Sequence, residues 1–157
     1  LEAGFDKDIS IKLINSTLIA NLEEDMYATL DVAILDLYKG NLEFIKNGAC
    51  PTFIKRGKEI QILKSLELPT GIVENMDLVV YDYDLQPDDL IVMCTDGVIE
   101  SNTEYISKEL WIKYLLEDMQ TTDAQKIADI ILSEAIDNNY GKQKDDMTVI
   151  VAKIGRF

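Results

Sequence analysis

Between Tyr27 and Thr95 the chain is divided into short runs by closely spaced turn signals, and this punctuation is what most limits its fold. Thr29, Asp31, Ala33 and Leu35 alternate with Ala28, Leu30, Val32 and Ile34, the period of two expected of a strand. Both sets contain apolar residues, as they do where both faces of a strand are partly covered. "YKGN" turns the chain and "LEFIK" returns it. "NGACP" interrupts, and "TFIKR", "GK" and "EIQIL" make a second pair of runs. "ELPTGIV" reads as a loop punctuated by Pro69 and Gly71. "LVVYDYDL", the turn "QPDD" and the apolar "LIVMCT" complete the series. Hairpin-like links of this kind predict a β-meander of consecutive strands, hence largely antiparallel sheets.

Helical patterns flank the strands. Ile11, Ile14, Leu18 and Leu22 predict a helix from Asp8 to Leu22, with Asp6 or Asp8 capping its start. The charged "EED" at Glu23 to Asp25 reads as a solvated turn. A second helix is predicted over Ser107 to Asp118, with Leu110, Tyr114 and Leu115 on one side. A third opens on Thr122-Asp123-Ala124-Gln125, a capping-box pattern, and runs through Ile127, Ile130, Ile131 and Leu132 to about Asn138. "NNYGKQK" is a polar loop and "MTVIVAKI" a closing strand of mostly β-branched residues. Helix, many strands, two helices and a strand make an α+β fold rather than a doubly wound parallel sheet. Trp111, Leu115 and Ile131 are expected to pack on the sheets. The 157 residues suit one domain.

Composition narrows the chemistry. A formal net charge of −14 argues against a nucleic-acid partner. It suits either a solvated acidic surface or an oxygen-rich cation site. With no histidine, the chain cannot build a Ser-His-Asp or Cys-His mechanism by itself, nor offer imidazole to a metal. Cys50 and Cys94 are far apart, in apolar surroundings and without a C-x-x-C motif, so they read as free thiols rather than zinc ligands. Ser16, Ser65, Ser101 and Ser107 lack a basic partner that could activate a nucleophile. Tyr81 to Asp84 alternate as a half-exposed strand. No apolar run approaches the roughly 20 residues that cross a bilayer, and no signal peptide is visible.

In "IVMCTDGVIES" an apolar strand runs straight into Thr95-Asp96-Gly97, and in "KDDMTVIVA" Asp145 and Asp146 stand directly before another strand. Carboxylates at the ends of core strands are aimed by a rigid scaffold. If the two ends are neighbours, Asp96 and Asp145 converge, and their repulsion calls for a hard divalent cation, magnesium or manganese. Spacing alone favours a plainer reading, with Asp-Gly as a turn pair and Asp before a strand as a cap. It does not show that the two carboxylates meet.

Taken in order, "NGACPTFIKRG", "LPTGIV", "LIVMCTDGVIES" and "KDDMTVIVAKI" resemble the PPM family of metal-dependent serine/threonine phosphatases. Within it they resemble the phosphatase domain of the stage II sporulation protein E family, as does the opening "LEAGFDKDISIKLINSTL". The resemblance implies an α-β-β-α sandwich, with Asp96 and Asp145 as ligands of a two-metal Mn2+ or Mg2+ site and Gly97 and Asp146 in support. Gly97 would let the backbone turn sharply without a Cβ clash. It implies in-line hydrolysis of phosphoserine by an activated water, with no covalent enzyme intermediate. Family members carry an earlier Asp-Gly segment, whereas Asp96-Gly97 is the single Asp-Gly here. Residues 1–157 are therefore expected to be the C-terminal portion of such a domain, lacking its N-terminal strands and nearly inactive alone. Many relatives have Asn where Asp146 stands. The implied substrate is a phosphorylated anti-anti-sigma factor, whose dephosphorylation frees a sporulation sigma factor. The implied setting is a cytoplasmic domain of a membrane-anchored parent, with no membrane contact from these residues. Open sheet edges would invite a homodimer by strand or segment exchange. The competing reading is a non-catalytic protein-interaction module with the same fold.

Overall fold

A computed structural model describes residues 6–20, 27–36, 38–74, 76, 78–139 and 145–155. Its elements are α1 (Lys7–Ala20), β1 (Leu30–Asp36), β2 (Asn41–Asn47), β3 (Thr52–Arg56), β4 (Glu59–Leu63), β5 (Val80–Asp84), β6 (Leu90–Cys94), α2 (Asp96–Ile99), α3 (Leu110–Asp118), α4 (Ala124–Asn138) and β7 (Val149–Lys153). The fold is α+β, with one sheet ordered β1-β2-β5 and another ordered β4-β3-β6-β7. Every pairing given in register is antiparallel. The chain divides into two units, Leu1–Ala49 with Ser65–Tyr83, and Cys50–Lys64 with Asp84–Phe157.

In the first unit, the Asp6 carboxylate accepts the Asp8 N–H at 3.1 Å and caps α1, one of the two expected choices. The expected Leu22 end and the Glu23–Asp25 cluster lie outside the described residues. Asp36 Oδ1 accepts the N–H groups of Tyr38 and Lys39 at 2.9 and 3.0 Å, an Asx turn that closes the β1–β2 hairpin. Ile11, Ile45 and Met76 form a buried hydrophobic cluster in this unit. Asn15 is buried in α1 and holds the loop after Pro69: its Nδ2 donates to the Val73 carbonyl and its Oδ1 accepts the Gly71 N–H.

In the second unit, β3 and β4 form a hairpin across Gly57, at φ +61°. Phe53, Leu90, Val92, Cys94, Ile112, Leu116, Ile127 and Ile131 share one buried cluster, so α3 and α4 pack on this sheet. Trp111 and Ile131 are buried in it, with Leu115 packed against it, as expected. Asp89, only 1% exposed, is held by a two-pronged ion pair with Arg56 at 2.9 and 2.7 Å and by the Gln86 N–H, which fixes the turn into β6.

Several expectations need correction. The strands do not form one meander. The β1–β2 and β3–β4 hairpins belong to different sheets, and β3 pairs with β6. The change of sheet falls in the "NGACP" interruption, where Gly48 takes φ +61° and packs on Pro69. The second predicted helix starts at Leu110 rather than Ser107, and buries Trp111, Ile112 and Leu116 rather than Tyr114, which is 43% exposed. α4 is capped by Asp123, whose side chain accepts the Lys126 N–H, and not by Thr122. The loop at 140–144 lies outside the described residues. Among the described residues no helix is long and apolar enough to cross a membrane.

Candidate metal centre

The site grows from the β6–β7 ladder, in which Cys94 pairs with Val149. One step further on, Thr95 donates its N–H to the Thr148 carbonyl at 3.1 Å. A regular ladder would return the bond from Thr148 N–H to the Thr95 carbonyl. Here that carbonyl accepts the N–H groups of Val98 and Ile99 and begins α2. The Thr148 N–H instead reaches Thr95 Oγ1, at 2.9 Å. The strand becomes a helix within one residue, and a side-chain hydroxyl takes the place of the missing carbonyl. The same hydroxyl donates to the Asp146 carbonyl at 3.2 Å.

Asp96 and Gly97 open α2, a turn of helix that the apolar run Val98-Ile99 did not announce. Gly97 does not take a positive φ, so a sharp turn is not what requires glycine there. The requirement is close approach. A Cβ at Gly97 would stand 2.5 Å from the Asp146 carbonyl oxygen and 3.2 Å from Asp145 Cβ. The Asp96-Gly97 and Asp145-Asp146 segments are therefore in direct contact, an adjacency created by strand pairing and invisible to local spacing.

Asp96 Oδ1 accepts the Gly97 N–H at 2.9 Å, and Asp145 Oδ1 accepts the Asp146 N–H at 2.8 Å, bonds that orient both carboxylates. Asp96, Asp145 and Asp146 are exposed, and Gly97 is buried beneath them. Such oxygen donors without imidazole suit Mg2+ or Mn2+. Among the described residues no group of three or more Asp, Glu or Cys side chains is placed to hold an ion. Cys94 does not compete as a ligand or nucleophile. Burial pushes its thiol up to about 12, with a smaller contribution from Cys50. Both cysteines are free.

Behind the site, the Trp111 indole N–H donates to the Ile99 carbonyl at 3.1 Å and ties α3 to the end of α2. Thr95 is the residue that sequence reasoning passed over. Its only signal was a hydroxyl side chain between an apolar strand and Asp-Gly.

Comparison with known proteins gives a consistent set of relatives. The family model described as Stage II sporulation protein E (SpoIIE) matches residues 1–155. The stage II sporulation protein E of Priestia megaterium is 39% identical over 154 residues, which is 98% of this chain but 26% of that relative's length. The solved PP2C phosphatase domain, with a fragment of the regulatory domain, of the cell fate determinant SpoIIE from Bacillus subtilis has a TM-score of 0.89 and 38% identity. It covers 98% of this chain and 46% of that one. The phosphatase domain of the same protein, presoaked with Mn, has a TM-score of 0.77 and 36% identity over 100% of this chain and 70% of that one.

Proposed function

This chain belongs to the stage II sporulation protein E family, and from that premise we propose that it is the C-terminal portion of a metal-dependent phosphatase domain acting on phosphoserine in a protein. The observation that carries the proposal is the packing of Gly97 against Asp145 and Asp146, which puts the Asp96-Gly97 and Asp145-Asp146 segments side by side. Asp96 and Asp145 are the residues we assign to hold Mn2+ or Mg2+, with Gly97 and Asp146 supporting them. Divalent ions in such a site lower the pKa of water and neutralise phosphoryl charge.

The chain's own contribution is placement. Asp96 follows a buried strand, and Asp145 lies in the segment that leads into the partner strand and is tied to Thr95 by hydrogen bonds at Asp146 and Thr148. Two carboxylates leave a two-metal site short of ligands. The proposal therefore takes the remaining ligands from outside the described residues and holds the bare chain to be nearly inactive. The substrate we assign is a phosphorylated anti-anti-sigma factor, whose dephosphorylation frees a sporulation sigma factor. Family membership supports that choice, and on the same reading these residues would form a cytoplasmic domain of a membrane-anchored parent. Strands β1, β4, β5 and β7 lie at sheet edges, which is compatible with a homodimer.

One observation favours a second reading. The lack of a three-ligand cluster among the described residues also suits a module that binds a partner without catalysis. The deciding experiment measures phosphate release from a phosphoserine protein with manganese titrated. It compares this chain with a longer one carrying the upstream Asp-Gly segment. The proposal expects metal-dependent turnover in the longer chain alone. A longer chain inert at every manganese concentration overturns it in favour of the interaction module.

A further inference from the structure

Thr95 touches neither metal nor substrate in any reading of the site, yet among the described residues it makes three hydrogen bonds that join the Asp96 segment to the Asp145 segment across the end of the ladder. Its N–H reaches the Thr148 carbonyl, its Oγ1 accepts from the Thr148 N–H, and its hydroxyl proton goes to the Asp146 carbonyl. That carbonyl is also the atom against which Gly97 packs. Asp96 sits between two residues that grip the same peptide unit, one by a hydrogen bond and the other by direct contact. Asp145 sits immediately before that unit.

We propose that the Thr95 hydroxyl is a positioning group for the metal centre, setting the separation of Asp96 and Asp145. The claim rests on the metal-ligand reading of those two residues. It requires a side chain that donates and accepts at once, which Ser can replace and Val cannot. The strand-to-helix change at Thr95 is the reason. Because the Thr95 carbonyl is committed to α2, it is the Thr95 side chain that accepts the Thr148 N–H.

The test uses the longer chain that carries the upstream Asp-Gly segment and reads free Mn2+ by its paramagnetic resonance signal at a temperature well below the unfolding transition of every variant. Thr95→Val is expected to weaken manganese binding by about tenfold or more, the scale on which groups that orient ligands act. Thr95→Ser is expected to restore it. A purely structural hydroxyl would lower the melting temperature of Thr95→Val and leave the manganese affinity of the folded protein unchanged, and that result overturns the inference. Repeating Thr95→Val in an Asp145→Asn background separates the two again. A positioning group has little further effect once its ligand is gone, whereas an undiminished additional loss shows that Thr95 acts elsewhere. A wild-type chain that binds no manganese overturns the ligand assignment itself, and so is distinguishable from failure at Thr95.

Discussion

The indole N–H of Trp111 meets the carbonyl of Ile99 at 3.1 Å in a buried setting, so the one-turn helix carrying Asp96 is bonded at its far end to α3. Trp111 is itself 6% exposed and belongs to the cluster formed by the sheet and the two long helices. Trp111→Phe keeps most of the packing but removes the donor from a buried carbonyl. It is expected to cost about 1–3 kcal/mol. Trp111→Ala adds a cavity and should cost about 3–5 kcal/mol. Urea denaturation followed by far-ultraviolet circular dichroism measures both, and equal stability of Trp111→Phe and wild type would show that the bond contributes nothing.

Asp123 rather than Thr122 caps α4, which predicts an asymmetry between neighbours. Asp123→Ala should lose about 1 kcal/mol through the orphaned Lys126 N–H. Thr122 has its Oγ1 near Lys153 Nζ at 3.3 Å on an exposed surface, so Thr122→Ala should change stability by no more than about 0.5 kcal/mol. Thermal melts of the two variants provide the comparison, and the reverse order would restore the capping-box reading.

Cys94 makes stability depend on pH at the alkaline end. Its folded thiol is raised to about 12 from a usual 9.0, chiefly by burial. The folded state therefore holds its proton where the unfolded state has lost it. The contribution is fully present below 9.0 and is lost as the pH rises toward about 12. Cys94→Ala should flatten the stability profile across that window. Native protein should also resist alkylation at Cys94 and react there only once unfolded. Rapid native labelling of Cys94, read by peptide mass, would contradict the burial argument.

The parts of the fold that could be read from the sequence were those fixed by local pattern. Ile127 and Ile131 repeat at helical spacing, and α4 runs to Asn138 as expected. Choices between near-equivalent neighbours were less readable. Thr122 and Asp123 can both cap a helix, and "LWIKYLLE" is apolar around so much of its circumference that its buried face depends on what packs there. Sheet membership was not legible at all, because a period of two looks the same whether the next hairpin joins the same sheet or another. The same limit governs the site. Asp96 and Asp145 could be placed at strand ends from the sequence, but their adjacency depends on β6 pairing with β7, whose contacts span a long stretch of chain.

Gly97 turns that adjacency into a substitution test. A Cβ there would meet a backbone carbonyl at 2.5 Å, which no side-chain rotation relieves. Gly97→Ala should cost about 1–3 kcal/mol of stability by overpacking and should push the Asp145 segment away from Asp96. Denaturant melts of the variant give the first effect. A variant as stable as wild type would mean that the two segments are not in contact in solution.

Paramagnetic broadening by Mn2+ in an amide-resolved NMR spectrum tests most directly, without needing turnover, whether Asp96 and Asp145 face one cation. Added in small substoichiometric steps to the isotopically labelled longer chain that carries the upstream Asp-Gly segment, manganese should broaden the amides of Asp96, Gly97, Asp145 and Asp146 together and before those of other acidic surfaces. In Asp96→Asn the effect at Asp145 should fall along with that at position 96. Broadening spread evenly over the acidic surface, or confined to one of the two segments, would contradict a shared site.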